Sequence, residues 1–378
     1  MAFDVAVIGG GIIGTAAAAY LAEAGQSVVI IERAAIADGA SGRNSGVLQL
    51  PPDPALAELH RASLALYTEL ADADPEFELG RRPAGLLLVG REEQVSVAAL
   101  AALAHDSDAL DPQLLGAPEA RRLEPALGEG IAAIRLATGY PVVPAAATHS
   151  FARRAERAGV RVRLGGAARL LITGSRAAGI VLHSGERLDA GQVLVAAGPW
   201  TAALVDGWQQ RPPIRPIWGV VAATHLDDPP RHVLEEWGIE PGAQDASALF
   251  SLVTAGGVSS VGSTFVADRP VPSAVAPALL ARAASFVPAL ADVTGADLRA
   301  CARPVSFDGR PLIGPVPGAH GLFVCAGHGP WGMSTGPASA RLVVDLMLGA
   351  AEPLEPQSPF AVDRWPARGP EAAAAVRR

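Results

Sequence analysis

The stretch "DVAVIGGGIIGTAAAAYLAEAGQSVVIIER", residues 4–33, decides the fold. Within it "DVAVIG" (4–9) is a short β-branched run closing on glycine, the form of a buried parallel strand. "GTAAAAYLAEAG" (14–25) has helix composition and is closed by Gly25. "SVVIIE" (27–32) is a second apolar strand, and it ends in Glu32. Strand, helix and strand make a βαβ unit whose first turn carries Gly9, Gly11 and Gly14 in the spacing G-x-G-x-x-G. That context is what a dinucleotide fingerprint requires. Gly9 permits the tight turn, Gly11 lets the backbone approach a pyrophosphate, and Gly14 lets helix and strand touch. Free N–H groups at the helix start would face the pyrophosphate, and Glu32 stands at the distance for ribose hydroxyls. A mere glycine-rich packing turn would leave Glu32 without a role.

The same spacing returns in "GLFVCAGHGPWGMSTG" (321–336), at Gly327, Gly329 and Gly332. "GLFVCAG" reads as a strand and "STGPASARLVVDLMLG" as a helix with Pro337 near its first turn. No second strand follows, because the next residues are the Pro-rich "AAEPLEPQSPF" (350–360). No second βαβ unit can be built. The helix start still carries partial positive charge and suits a group that turns negative during catalysis. A plain strand-to-helix loop is the alternative.

Composition narrows the function. The chain has 378 residues, 50% of them hydrophobic, enough for one large domain or two closely joined ones. Net charge is -8 with no basic block, which argues against nucleic acid or an acidic membrane surface. All 30 basic residues are Arg, so no catalytic or Schiff-base lysine exists. Two cysteines, Cys301 and Cys325, do not make a disulfide scaffold and fit a reduced, cytoplasmic setting. Val5–Ala22 is uncharged, but glycines break it, so neither a signal peptide nor a membrane span is expected. No His/Cys spacing suggests a metal.

Between the glycine runs, "GASGRNSGVLQL" (39–50) is a small-residue polar loop that runs into apolar residues and so enters the interior. Helices are expected at 57–72, 92–104, 144–159 and 277–287, with His60 and His149 as structural residues. "GLLLVG" (85–90) reads as a strand. Four more follow in "VRVRLGG", "ARLLITG", "AAGIVLHSG" and "QVLVAAG", and others lie within 214–270. "VLVAAGPWT" (193–201) ends in small residues around Gly198, as where backbone approaches a ligand. "RACARPVSFDGRPLIGPVPG" (299–318) sets Arg303, Asp308 and Arg310 among buried-type residues. Arg303 reads equally well as an ion-pair partner of Asp308.

Taken together, these segments resemble the D-amino-acid-oxidase superfamily of FAD enzymes, from Asp4 to about Gly349. Members include glycine oxidase, sarcosine oxidase, D-amino-acid dehydrogenase and 2-hydroxyglutarate oxidase. The resemblance implies an α/β fold, with a Rossmann-type FAD-binding domain interleaved with an α+β substrate domain carrying an antiparallel sheet. FAD-binding parts would be 1–80, 144–212 and 299–363, substrate-domain parts 81–143 and 213–298, and 364–378 a tail. It implies that Glu32 and Arg33 hold the adenosine ribose, and that Ser41, Asn44, Ser45 and Gly46 line the pyrophosphate and flavin. Ala168 would meet the adenine by its backbone. Gly332, Met333, Ser334 and Thr335 would face the flavin pyrimidine edge; Ile13 and Gly198 complete the cofactor set. Arg303 would bind a substrate carboxylate.

His328 and Trp331 are the other candidate catalytic residues, and Trp218, Trp331 and Tyr140 the candidates for choosing the substrate. The implied reaction is hydride transfer to FAD from a small amino acid or secondary amine. A 2-hydroxy-acid oxidase with His328 as base, or a flavoprotein without turnover, are the alternatives. Sarcosine oxidases use a lysine in the reaction with oxygen and hold flavin through a cysteine. This chain has no lysine, so either another cation does that work or an acceptor other than oxygen takes the electrons. Cys301, two residues before Arg303, leaves a covalent link open beside the noncovalent FAD expected.

Overall fold

Val5, Ala6, Val7 and Ile8 are buried on both faces, as a central parallel strand must be. The structure, a computed structural model, describes residues 2–95, 110–205, 207–208, 212–238 and 248–365. The first sheet contains β1 (Ala2–Ile8), β2 (Val28–Glu32), β8 (Arg161–Leu164), β9 (Ala167–Thr173), β10 (Arg176–Leu182), β11 (Arg187–Val195), β17 (Leu312–Pro315) and β18 (Leu322–Ala326). Its order is β17-β18-β11-β1-β2-β8, with the β9–β10 hairpin attached to β11. β18, β11, β1, β2 and β8 run parallel. From β1 the chain crosses to β2 on one side, and β11 later fills the other. Ligands bind in open α/β sheets at the strand ends where the order reverses in this way.

The longer helices are α1 (Ile12–Glu23), α2 (Pro54–Ala73), α3 (Ala146–Arg157), α4 (Pro272–Ala284) and α5 (Gly332–Leu348). Ala16–Ala19 are fully buried, and their small side chains let α1 lie close between the sheet, α3 and α5. α2 starts cleanly: the Asp53 carboxylate accepts from Ala55 N–H at 2.9 Å and Pro54 takes the first helical position.

α5 begins at Gly332, earlier than the Ser334 start expected, so Pro337 falls in the second turn. Proline has no N–H, and the Met333 carbonyl loses its usual donor. Tyr67 Oη donates to that carbonyl instead, at 2.8 Å. Ala338 N–H turns to Ser63 Oγ (3.0 Å), and the Ser334 carbonyl accepts from His60 Nδ1 (3.2 Å). His60, Ser63 and Tyr67 stand on one face of α2 and together repair the broken ladder. Burial lowers the His60 pKa, which keeps the ring neutral.

The second sheet contains β4 (Leu86–Arg91), β5 (Gln113–Leu115), β6 (Ile131–Leu136), β12 (Ile214–Thr224), β13 (Val233–Glu236), β14 (Ser251–Ala255), β15 (Val258–Gly262) and β16 (Asp297–Ser306). Its order is β16-β12-β15-β14-β13-β4-β6-β5, antiparallel except that β13 and β4 run parallel. Alternate residues serve opposite faces. Leu87, Val89 and Leu234 pack with Phe286 and Val287 beyond α4, whereas Leu86, Val233 and Val253 form the other face with Leu136. A two-stranded ribbon, β3 (Val47–Leu48) with β7 (Tyr140–Pro141), lies between the sheets in sequence and carries "VLQL" inward, with Leu48 1% exposed.

The expected boundary at 299 falls inside β16, which pairs along its whole length with β12 in the second sheet. Sequence motifs mark Arg303 as a site residue but do not say which sheet carries it. At the other end Arg364 is anchored, its Nε 2.9 Å from Asp308 Oδ2, so the tail does not begin at 364. The helix expected at 92–104 lies mostly outside the described residues. No described helix is long and apolar enough to cross a membrane.

Candidate active site

A cavity of about 970 Å³ runs from the carboxyl end of β1 to the inner face of the second sheet. At one end the Glu32 carboxylate accepts from Gly10 N–H (2.7 Å) and Ala34 N–H (2.9 Å). Arg33 lies 4.1 Å above the Trp200 ring, a cation–π contact. A Cβ on Gly9, at φ +120, would stand 2.3 Å from the Ala196 carbonyl oxygen. Gly11 caps α1 with no side-chain hydrogen bond, leaving the helix start open to an anion; Ser41 Oγ takes the Ile12 N–H at 3.0 Å.

Midway, Asn44 holds its own loop. Its Nδ2 donates to the Ser41 carbonyl (2.8 Å) and its Oδ1 accepts from Gly46 N–H (2.8 Å). Gly46, at φ +84, brings the loop within 2.4 Å of the Val142 carbonyl, measured from the Cβ it lacks. Ile13, Ser45 and Gly198 line the cavity, as do Trp331, Gly332, Met333 and Ser334 at the start of α5. Ser334 Oγ accepts from Gln49 N–H at 3.0 Å.

At the far end stands Arg303. Its guanidinium lies over the bare α-carbon of Gly219, where a Cβ would come within 2.2 Å of Nη1. Nη1 donates to the Thr264 carbonyl (2.9 Å), Nη2 to Ser263 Oγ (2.5 Å), and the Phe265 ring sits 4.1 Å beneath. Asp308 pairs with Arg364, not with Arg303. Among the described residues no carboxylate lies within ion-pair distance of Arg303, so its charge faces the cavity unneutralised.

His328 also lines the cavity, 1% exposed, with neither ring nitrogen hydrogen-bonded among the described residues. Burial pushes its pKa down to about 3, so the ring is neutral near pH 7. Cys301 is buried on the same wall, and burial pushes its thiol pKa up, away from the reactive thiolate.

Several expected residues sit elsewhere. Thr335 is fully buried and donates from Oγ1 to the Trp331 carbonyl (2.8 Å), inside α5 rather than toward the cavity. Gly14 is a packing contact beneath the turn: its Cβ would lie 1.9 Å from the Gly9 oxygen. Ala168 lies in β9 just past the lining residues Gly166 and Ala167, because the turn before the strand makes the approach. Trp218 is covered by Arg269 (5.2 Å), and Tyr140 belongs to the ribbon and its neighbouring core. Of the three expected aromatics Trp331 lines the cavity, and it is joined there by Trp200, Trp237, Phe250 and Phe265. Sequence reading also missed Gln49 and Glu235, both in the lining. The signal for Glu235 is an acid inside "HVLEEW" that alternation sets on the same face as Val233.

Residues 4–346 match the model of a family described as FAD dependent oxidoreductase, DAO. The chain is 30% identical to a glycine oxidase of Pseudomonas aeruginosa over 96% of its own length and 99% of the relative's. It is 30% identical to a D-amino acid dehydrogenase of Cereibacter sphaeroides over 61% of its length and 52% of the relative's. Among solved structures it resembles a glycine oxidase from Bacillus cereus (TM-score 0.80, 26% identity, 93% of this chain and 96% of that one). An iminodiacetate oxidase from Chelativorans sp. is as similar (TM-score 0.80, 25% identity, 94% and 98%).

Proposed function

The chain belongs to the DAO family of FAD-dependent oxidoreductases, and on that premise we propose that it oxidises a small carboxylate-bearing amino acid or secondary amine at its Cα–N bond. The imine formed hydrolyses to an oxo product. The observation that carries this reading is Arg303, a half-buried guanidinium without a carboxylate partner among the described residues, facing the cavity.

The residues present fit FAD. The start of α1, where only the Ile12 N–H is taken by a side chain, suits the pyrophosphate, and the fixed Glu32 carboxylate keeps lone pairs for ribose hydroxyls. Gly332, Met333 and Ser334, at the positive end of α5, suit an edge that gains negative charge. When bound, FAD supplies the two-electron acceptor. The first sheet thus serves the cofactor and the second walls the substrate.

Arg303 orients the substrate by a bidentate grip on its carboxylate, and Thr264 and Ser263 fix the guanidinium for that task. A neutral amine needs no protein base, because its nitrogen lone pair assists the departure of hydride from Cα. His328, with its pKa near 3, is a poor base, which disfavours the hydroxy-acid reading. The protonated Cys301 thiol favours noncovalent FAD. Two buried free cysteines support a cytoplasmic setting.

Anaerobic mixing with D- and L-amino acids, N-methyl amino acids and hydroxy acids tests the reading: amino acids or amines should bleach the flavin. Bleaching by hydroxy acids alone would reverse the choice. Arg303→Ala should keep its yellow colour and lose apparent affinity by roughly thirty- to a thousand-fold, about 2–4 kcal/mol. Unchanged KM in that variant would remove the carboxylate from the substrate.

A further inference from the structure

Glu235 and Glu236 are neighbours in β13, both border the cavity, and they differ in their partners. Glu236 is paired with the Arg282 guanidinium of α4, Nε to Oε2 at 3.0 Å. Glu235 shares its face with Val233 and looks into the cavity, where Leu86, Leu88, Leu136 and Val253 form an aliphatic wall. No cation lies within ion-pair distance of Glu235 among the described residues. One neutral group reaches it: Gln49 Nε2 donates to Glu235 Oε1 at 3.1 Å. That contact leaves two acceptors side by side. Gln49 Oε1 is buried with no partner, and Glu235 Oε2 has none among the described residues. The buried Gln49 oxygen lacks a donor, and burial holds the Glu235 carboxyl pKa up at about 7.

Position relates this pair to Arg303. Glu235 lies opposite Ser251, and Ser251 opposite Gly262, next to the Ser263 that holds the Arg303 guanidinium. Two strand spacings, roughly 10 Å, separate Glu235 from Ser263, and the guanidinium over Gly219 of β12 lies one spacing farther, roughly 14 Å from β13. Between them the cavity is lined by Val221 of β12 and by Ser251 and Val253 of β14. A ligand that satisfies both ends has a carboxylate at one, a cation at the other and methylenes between.

On the reading that this is an amino-acid oxidase, we propose that Glu235 and Gln49 form a cation subsite, and that the preferred substrate is an amino acid whose side chain ends in an ammonium or guanidinium group. The carboxylate rests on Arg303. The side-chain cation donates to Glu235 Oε2 and Gln49 Oε1, and its methylenes lie along Val221 and Val253, with Leu86, Leu88 and Leu136 closing the cavity beyond Glu235.

The test compares lysine with norleucine, which share a chain length and differ in the terminal cation. Each enantiomer is mixed anaerobically with the holoenzyme, and the second-order rate of flavin bleaching is measured. The wild type should favour lysine by roughly 10- to 100-fold, and Glu235→Gln, nearly isosteric, should bring the ratio below about threefold. Norleucine reacting as well as lysine in the wild type overturns the subsite and leaves the proposed function standing. So does a lysine preference that survives in Glu235→Gln. If Glu235→Gln loses its flavin, the wild-type ratio alone decides. Failure of every amino acid and amine to bleach the flavin strikes the proposed function itself, and the subsite falls with it.

Discussion

A Cβ on Gly14 would lie 1.9 Å from the Gly9 carbonyl oxygen, whereas one on Gly332, the matching glycine of the second run, would lie 3.6 Å from His328 Cβ. Both runs spell G-x-G-x-x-G, and both join a parallel strand to a helix. In the first, glycine is needed because there is no room for another atom: strand, turn and helix touch backbone to backbone. In the second, the last glycine has room and helical angles, φ -59 and ψ -35. There the demand falls on Gly327 and Gly329, whose φ values of +93 and +56 turn the chain through a short 3-10 turn, Gly329–Trp331, before α5 begins. A shared spelling therefore reports a turn. What the backbone touches decides whether the turn binds a pyrophosphate or presents a helix start to a catalytic centre.

The comparison breaks most visibly at Gly14. Gly14→Ala forces two backbones apart, and a loss of more than about 3 kcal/mol is expected, together with loss of bound FAD. Thermal melting and visible absorbance check it; a yellow protein with the wild-type Tm would mean that the contact is not tight. A middle-sized effect is expected where α2 repairs α5. Tyr67→Phe leaves the Met333 carbonyl without a donor beside Pro337, and denaturant unfolding should show a loss of about 1–2 kcal/mol. No change would show that the carbonyl finds another donor. Smallest is Gly332→Ala: with room and helical angles, stability should stay within about 1 kcal/mol of wild type, in either direction. A collapse there as large as at Gly14 would erase the distinction between the runs.

Sequence carries the first βαβ unit and the four strands from Arg161 to Val195, because period and turn residues are local signals; the antiparallel second sheet follows only from the family resemblance. It does not carry the parallel pairing of β13 with β4, since their partnered residues, such as Val233 and Leu86, are far apart in the chain and periodicity names no partner. Motif spelling points to Arg303 and to the cavity-lining start of α5. It misleads at Thr335, where a helix hydroxyl bonds its own backbone, and at Trp218 and Tyr140, where an aromatic letter does not say which face it takes. Glu235 is hard to read because "LEEW" offers two acids in sequence, and only the pairing with β14 and the position of Arg282 decide which one turns inward.

The sheet that opens with Ala2 is not completed until Leu322–Ala326 pair beside β11, and α5 follows still later. On a ribosome adding about 5–20 residues per second, β1 is made early, yet its partner β11 leaves the tunnel roughly ten seconds or more afterwards. Until then β1 offers an unpaired apolar edge, the kind of surface that chaperones recognise and that aggregates if left bare. The helix start that walls the cofactor site, Gly332–Ser334, lies more than 300 residues after β1, so protein lacking α5 should accumulate colourless.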